Sequence, residues 1–228
     1  MSAAGVAALL FDFDGLLVDS ETAGLRSWQE LYEEHGCELD LGFWLAEVAA
    51  GRGPCMPKDQ LEAAVGERLD WEVLEARLQV RRDELLVVRP GAAEVLAEAR
   101  QLGLTSAIVS NAPDWWLDRQ LARTGLGRHW FSVILSKDPL RQSKPAPDVY
   151  VAALDALRLD ASRAVAFEDS PAGIAAANAA GIACVAVPNE VTVHLPLPAT
   201  MIIPALGCEP LADVLDRVIR AHQRLSTQ

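Results

Sequence analysis

Five short segments carry side chains suited to chemistry on a charged oxyanion. Asp12-Phe13-Asp14-Gly15 sets two carboxylates two residues apart, a spacing that puts both on one side of an extended segment. Ser110-Asn111 offers neutral donors, Lys144 a compact positive charge, and Glu168-Asp169 a second pair of acids. Phosphoryl transfer calls for this set, because its catalysis is largely positioning and electrostatic stabilisation. Asp12 can attack phosphorus and form an aspartyl-phosphate, which splits one hard displacement into two easier ones. Asp14 can protonate the leaving oxygen and then activate the water that cleaves the intermediate. Mg²⁺ takes one or two carboxylates together with phosphate and waters. Asp12 and Asp169 suit that role, with the Asp14 main-chain carbonyl and Glu168 as auxiliary partners. Ser110, Asn111 and Lys144 are the candidate phosphate contacts. Arg52, in the glycine-flanked break Gly51-Arg52-Gly53-Pro54, is the candidate for a further substrate contact.

These residues must be brought together from distant parts of the chain, and the hydrophobic pattern supplies the means. Val6 to Phe11 is a short apolar run ending abruptly in charge and glycine, which reads as a buried parallel strand. Thr105 to Val109, Ala164 to Phe167 and Ile182 to Val187 read the same way, and Phe131 to Leu135 and Met201 to Ile203 more weakly. Amphipathic helices are expected between most of them, at Gly91 to Leu102, Trp115 to Thr124 and Pro147 to Leu157. The alternation predicts an α/β fold, a Rossmann-like doubly wound parallel sheet. Asp12 and Asp14, Ser110-Asn111, Lys144 and Glu168-Asp169 each follow a strand, and such a fold gathers those positions along one crevice. From about Ala23 to Val87 the alternation fails and the chain reads as helix throughout, broken at Gly51 to Pro54. The expected organisation is a core of residues 1–20 and 88–228 with an inserted α-helical cap at 21–87, hinged near Ser20 to Ala23 and Val87 to Gly91.

Composition narrows the function classes. With 20 Lys and Arg against 32 Asp and Glu, the net charge is −12, which argues against nucleic acid or an anionic membrane as main partner. A small anionic substrate stays compatible, since a metal and a few local cations can invert the field in one cleft. Cys37, Cys55, Cys184 and Cys208 form no CxxC pair, so reduced thiols and a cytoplasmic location are expected. The apolar start lacks a basic n-region and runs directly into Asp12. No run is long enough to span a bilayer.

Taken together, Asp12-Phe-Asp-Gly-Leu-Leu-Val-Asp-Ser20, Ser110-Asn111, Lys144-Pro-Ala-Pro-Asp148 and Glu168-Asp169-Ser170-Pro-Ala-Gly173 resemble the four motifs of the haloacid dehalogenase superfamily. The spelling is closest to its β-phosphoglucomutase-like phosphatase branch, and the likeness runs from Leu9 to about Thr192. The resemblance implies a mobile helical cap and an aspartyl-phosphate intermediate. It makes Asp12 the nucleophile and Asp14 the general acid and base. The Asp14 main chain, Glu168 and Asp169 would serve the metal, and Ser110 and Lys144 the phosphate. The mutase carries a histidine where this chain has Gly24, which favours a plain phosphatase over a sugar-phosphate mutase. The acid at Asp14 argues against carbon–halogen cleavage, and Lys58, the lone lysine of the insert, has no setting for Schiff-base chemistry. The expected partner is a small phosphorylated metabolite, a sugar phosphate or similar, acted on by a monomer or weak homodimer. A non-catalytic metabolite-binding module is the remaining alternative. Of Trp115 and Trp116, one is expected to pack and the other to lie partly exposed. His35, His129 and His194 read as structural or surface residues, and Pro188 to Pro198 as a surface loop or part of an interface.

Overall fold

The computed structural model describes residues 5–49 and 57–225. Six parallel strands form one sheet: β1 (Ala8–Phe11), β2 (Thr105–Val109), β3 (Val133–Leu135), β4 (Ala164–Glu168), β5 (Ala183–Ala186) and β6 (Met201–Ile202), in the order β3-β2-β1-β4-β5-β6. This is the doubly wound arrangement, with the chain reversing its direction of travel across the sheet beside β1. The strands lie where the apolar runs placed them, with ends that agree to within two residues.

Strand alternation assigns the two faces. Leu9 and Phe11 pack with α5 (Ala92–Gln101), α6 (Asp114–Thr124) and α9 (Leu211–Leu225). Ala8 and Leu10 pack on the opposite face with α7 (Asp148–Leu157) and α8 (Pro171–Ala179). Side chains on a strand point to opposite faces in turn, so a run apolar at every position is buried on both. Phe11 and Phe167, neighbours on β1 and β4, stack with ring centroids 5.2 Å apart.

The stretch expected to be helix broken at Gly51 to Pro54 holds, among the described residues, four helices: α1 (Ser20–Glu34), α2 (Leu41–Ala49), α3 (Lys58–Val65) and α4 (Trp71–Leu85). The extra breaks have local causes. Gly36 and Gly66 adopt positive φ, which ends α1 and α3, and Asp70 caps α4 by accepting from the Val73 N–H. Trp28, Leu31, Tyr32, Trp44, Leu61 and Leu74 give the insert its own apolar cluster. Its two connections run side by side, for the Asp19 N–H donates to Val87 O at 2.8 Å. The segment at 188–198 joins the two parts. Val191 is buried in the cluster of the insert, and Glu190 pairs with Arg26 of α1.

Candidate active site

Register dictates the centre of the site. Phe11 is level with Ile108 on β2 and with Phe167 on β4, so the next residue, Asp12, emerges abreast of Val109 and Glu168. Lys144 reaches this point from the loop before α7, where its peptide bond to Pro145 is cis. Its Nζ donates to Asp12 Oδ1 at 2.5 Å, Glu168 Oε1 at 2.6 Å and Val109 O at 2.8 Å. Tyr150 Oη also donates to Glu168 Oε1, at 2.5 Å. Asn111 accepts from the Lys144 N–H at 2.9 Å and donates to Lys144 O at 3.3 Å. Its side chain therefore braces the lysine loop while lining the cavity. Ser110 is buried beside the cavity and accepts from the Ala112 N–H.

Beyond Asp12 the chain turns tightly, with the Gly15 N–H donating to Val18 O and to Ser20 Oγ. Gly15 has φ +78°, and a Cβ there would collide with the Asp169 carboxylate and Asn189, so only glycine fits. Ser170 caps α8 by accepting from the Gly173 N–H, with Pro171 in the first turn. Glu168-Asp169 therefore sits at a helix start, where carboxylates are favoured. A Cβ at Gly173 would strike Glu168, so the second glycine opens room for that carboxylate.

The electrostatics follow from burial. Asp12, Glu168 and Asp169 each offer an oxygen within 4.8 Å of the others. Burial pushes all three up, Glu168 to about 7, with Lys144 pulling back on Asp12 and Glu168. Neighbouring Asp12 and Glu168 add to the rise at Asp169. Burial and then Asp12 raise Asp14 to about 6. Lys144 is disfavoured by burial, yet Asp12 and Glu168 outweigh this and hold it above the usual lysine range. One cation thus serves several buried carboxylates, and Glu168 Oε2 has no hydrogen-bond partner among the described residues. Hard oxygen donors, excess negative charge and an orphaned carboxylate oxygen fit a small divalent cation.

The cavity, about 550 Å³, also exposes residues that the motifs did not reveal. Arg82 of α4 and Glu21 of α1 line it with Trp115, Trp116 and Lys137. Trp116 is buried and its Nε1 donates to Asp14 Oδ1 at 2.9 Å; Trp115 is 61% exposed. Arg82 lies over the Trp116 ring, 4.3 Å from its centroid. Glu21 is raised to about 7 by burial and by Asp14. The sequence held one faint sign of Arg82, a basic pair Arg81-Arg82 beside the second hinge of an acidic chain. Arg52 lies outside the described residues. Gly24 faces the buried Trp44, whose ring a Cβ would meet at 3.6 Å, an ordinary packing distance. Lys58 pairs with Glu75 and lies over Trp71, away from the cavity.

Known proteins are similar to this chain over most of its length. Residues 9–187 match the model of the haloacid dehalogenase-like hydrolase family. The YhcW protein of Bacillus subtilis (strain 168) is 37% identical over 193 residues, covering 82% of this chain and 86% of that protein. Validoxylamine A 7'-phosphate phosphatase of Streptomyces hygroscopicus subsp. limoneus is 30% identical over 178 residues, 77% of this chain and 83% of the enzyme. A crystal structure of a HAD family hydrolase from Deinococcus radiodurans R1, with bound phosphate and sodium, superposes with a TM-score of 0.75. It is 28% identical, and the match covers 95% of this chain and 98% of that one.

Proposed function

Since this chain belongs to the haloacid dehalogenase-like hydrolase family and is a phosphoric monoester hydrolase, we propose that it hydrolyses a small phosphorylated sugar or similar metabolite through a phosphoryl-Asp12 intermediate. The observation that carries this reading is the meeting of Asp12 and Glu168 on Lys144 at the carboxyl ends of β1 and β4, with Asp14 and Asp169 lining the same cavity. The validoxylamine A 7'-phosphate phosphatase and a phosphorylated carbohydrates phosphatase of Thermotoga maritima, both similar to this chain, support the substrate class.

In the first step an Asp12 carboxylate oxygen attacks phosphorus while the bond to the leaving alcohol breaks, and Asp14 gives that alcohol its proton. Water then attacks the same phosphorus. Asp14 takes the water's proton, the bond to Asp12 breaks, and inorganic phosphate leaves. Lys144 offsets charge on the nucleophile, and the Ser110 hydroxyl faces the transferring group. Asp12, Glu168, Asp169 and the Asp14 carbonyl are the proposed holders of Mg²⁺, which when bound neutralises charge between carboxylate and phosphate. Residues 21–87 act as a cap that shields this chemistry and reads the rest of the substrate, Arg82 and Glu21 being the side chains placed to do so. Gly24 favours hydrolysis over mutase chemistry, because glycine supplies no base at that position.

Purified protein with Mg²⁺ is expected to release phosphate from p-nitrophenyl phosphate and from members of a sugar-phosphate panel. Asp12→Asn should lower the rate at least about a thousandfold. A wild-type protein inert on the whole panel would refute the reading.

A further inference from the structure

We propose that Trp116 is a positioning residue for the proton-transfer carboxylate, fixing the orientation of Asp14 through its indole N–H and linking that orientation to the helical insert through Arg82. The inference rests on the assignment of Asp14 as acid and base above.

Trp116 sits in the first turn of α6, the helix entered directly from the Ser110-Asn111 loop. The apolar demand of that position, in the cluster beneath β1, would be met by phenylalanine. Tryptophan adds a donor that phenylalanine lacks, and here the donor lies 2.9 Å from Asp14 Oδ1. An indole N–H donates and never accepts. With Oδ1 occupied in that way, the transferable proton is confined to Oδ2. The Ser20 hydroxyl is the other side-chain partner of this carboxylate, so Asp14 is gripped from the start of the insert and from the core.

The ring face is the second link. The Arg82 guanidinium covers it at 4.3 Å, a cation–π contact that strengthens when desolvated. The next residue, Asp83, is buried and bound by α6 itself. It accepts from Gln120 Nε2 at 3.0 Å and from Arg119, while Arg123 Nη2 donates to its carbonyl at 2.9 Å. One core helix therefore carries both the donor to Asp14 and the anchor that keeps Arg82 over that donor. Displacement of the insert would uncover the indole and loosen Asp14, so proton transfer would be supported only with the insert in place.

The test compares kcat/KM for two esters, because this ratio covers the steps through departure of the alcohol. Nitrophenolate leaves p-nitrophenyl phosphate without a proton, whereas an alkoxide needs one. Trp116→Phe keeps the ring and removes the N–H. It is expected to cost about tenfold on the alkyl phosphate that wild type turns over fastest, the worth of one hydrogen bond to a charged group. On p-nitrophenyl phosphate the cost should stay below about twofold. Equal losses on both esters, or none on either, would overturn the inference. Asp14→Asn separates the two levels. If it too hits both esters equally, the acid assignment fails and the inference falls with it; if it is selective while Trp116→Phe is not, the inference alone fails. A second measurement leaves Trp116 intact: its indole N–H resonance should shift on Asp14→Asn while that of Trp115 stays, and an unmoved Trp116 signal would also overturn the proposal.

Discussion

Asn189 shows how a residue far from any motif can govern the site. Its Nδ2 donates to Asp169 Oδ2 at 2.8 Å and to Gly15 O at 3.2 Å, while its Oδ1 accepts from the N–H groups of Val191 and Thr192. The side chain is thereby locked, and it aims one of the carboxylates that would hold the metal. Residues that orient a ligand in this way typically cost tenfold to a hundredfold in metal affinity when removed. Asn189→Ala is accordingly expected to weaken Mg²⁺ binding by about tenfold in calorimetric titration, with the fold retained. An unchanged affinity would show that Asp169 holds its place without help. Nothing in the sequence points to Asn189, which lies in the proline-bearing stretch 188–198 with no signature around it. Asp12, Asp14, Lys144 and Asp169 were legible because each follows a strand or sits in a recognisable motif. Asn189 acquires its role only through a tertiary approach across the sheet edge, as Trp116 does with Asp14.

At the scale of elements, the junction of α4 with α6 decides how the insert sits on the core. Asp83 is nearly fully buried on the insert side, while Arg119 on the core side is 46% exposed. Truncating the acid would leave the buried Gln120 without its partner, but solvent can take up much of the arginine's loss. Asp83→Ala is therefore expected to cost roughly 1–2 kcal/mol in urea unfolding, less than a fully buried pair would. Burial acts to raise Asp83, yet Gln120 and Arg119 hold it below the ordinary aspartate range. A carboxylate depressed in the folded state stabilises above its unfolded pKa and loses that contribution as pH falls through the folded one. The stability gap between wild type and Asp83→Asn should thus be full at neutral pH and close progressively below about pH 4. A gap that widens with acidification would count against the junction as described. The existence of helices in the insert was readable from periodicity in Trp28, Leu31, Tyr32 and Leu74. Their number was not, because the breaks at Gly36, Gly66 and Asp70 depend on backbone conformation and capping rather than on hydrophobic pattern.

Over the whole molecule, the doubly wound parallel class followed from sequence because strand runs and intervening helices leave few right-handed topologies open. What that arrangement costs is also a molecular property. A parallel sheet ends all its strands on one edge, and here that edge buries Asp12, Glu168 and Asp169 beside the buried Lys144. Burying charge without full compensation opposes folding, and a bound cation would relieve it. Any ligand that binds only the folded state stabilises by RT ln(1 + [L]/Kd), about 2.7 kcal/mol at a hundredfold excess over Kd. For a domain of this size each kcal/mol moves the melting temperature by roughly 2–4 °C, so saturating Mg²⁺ should raise it by about 5–10 °C. Removing one liganding charge separates this from a general salt effect. Asp169→Asn relieves part of the repulsion in the metal-free protein, so its metal-free melting temperature should lie at or above that of wild type, while the rise with Mg²⁺ should largely vanish. Equal Mg²⁺ shifts in both proteins would place the binding elsewhere. A metal-free variant much less stable than wild type would mean that Asp169 supports the fold through its tie to Asn189 more than it strains it through charge.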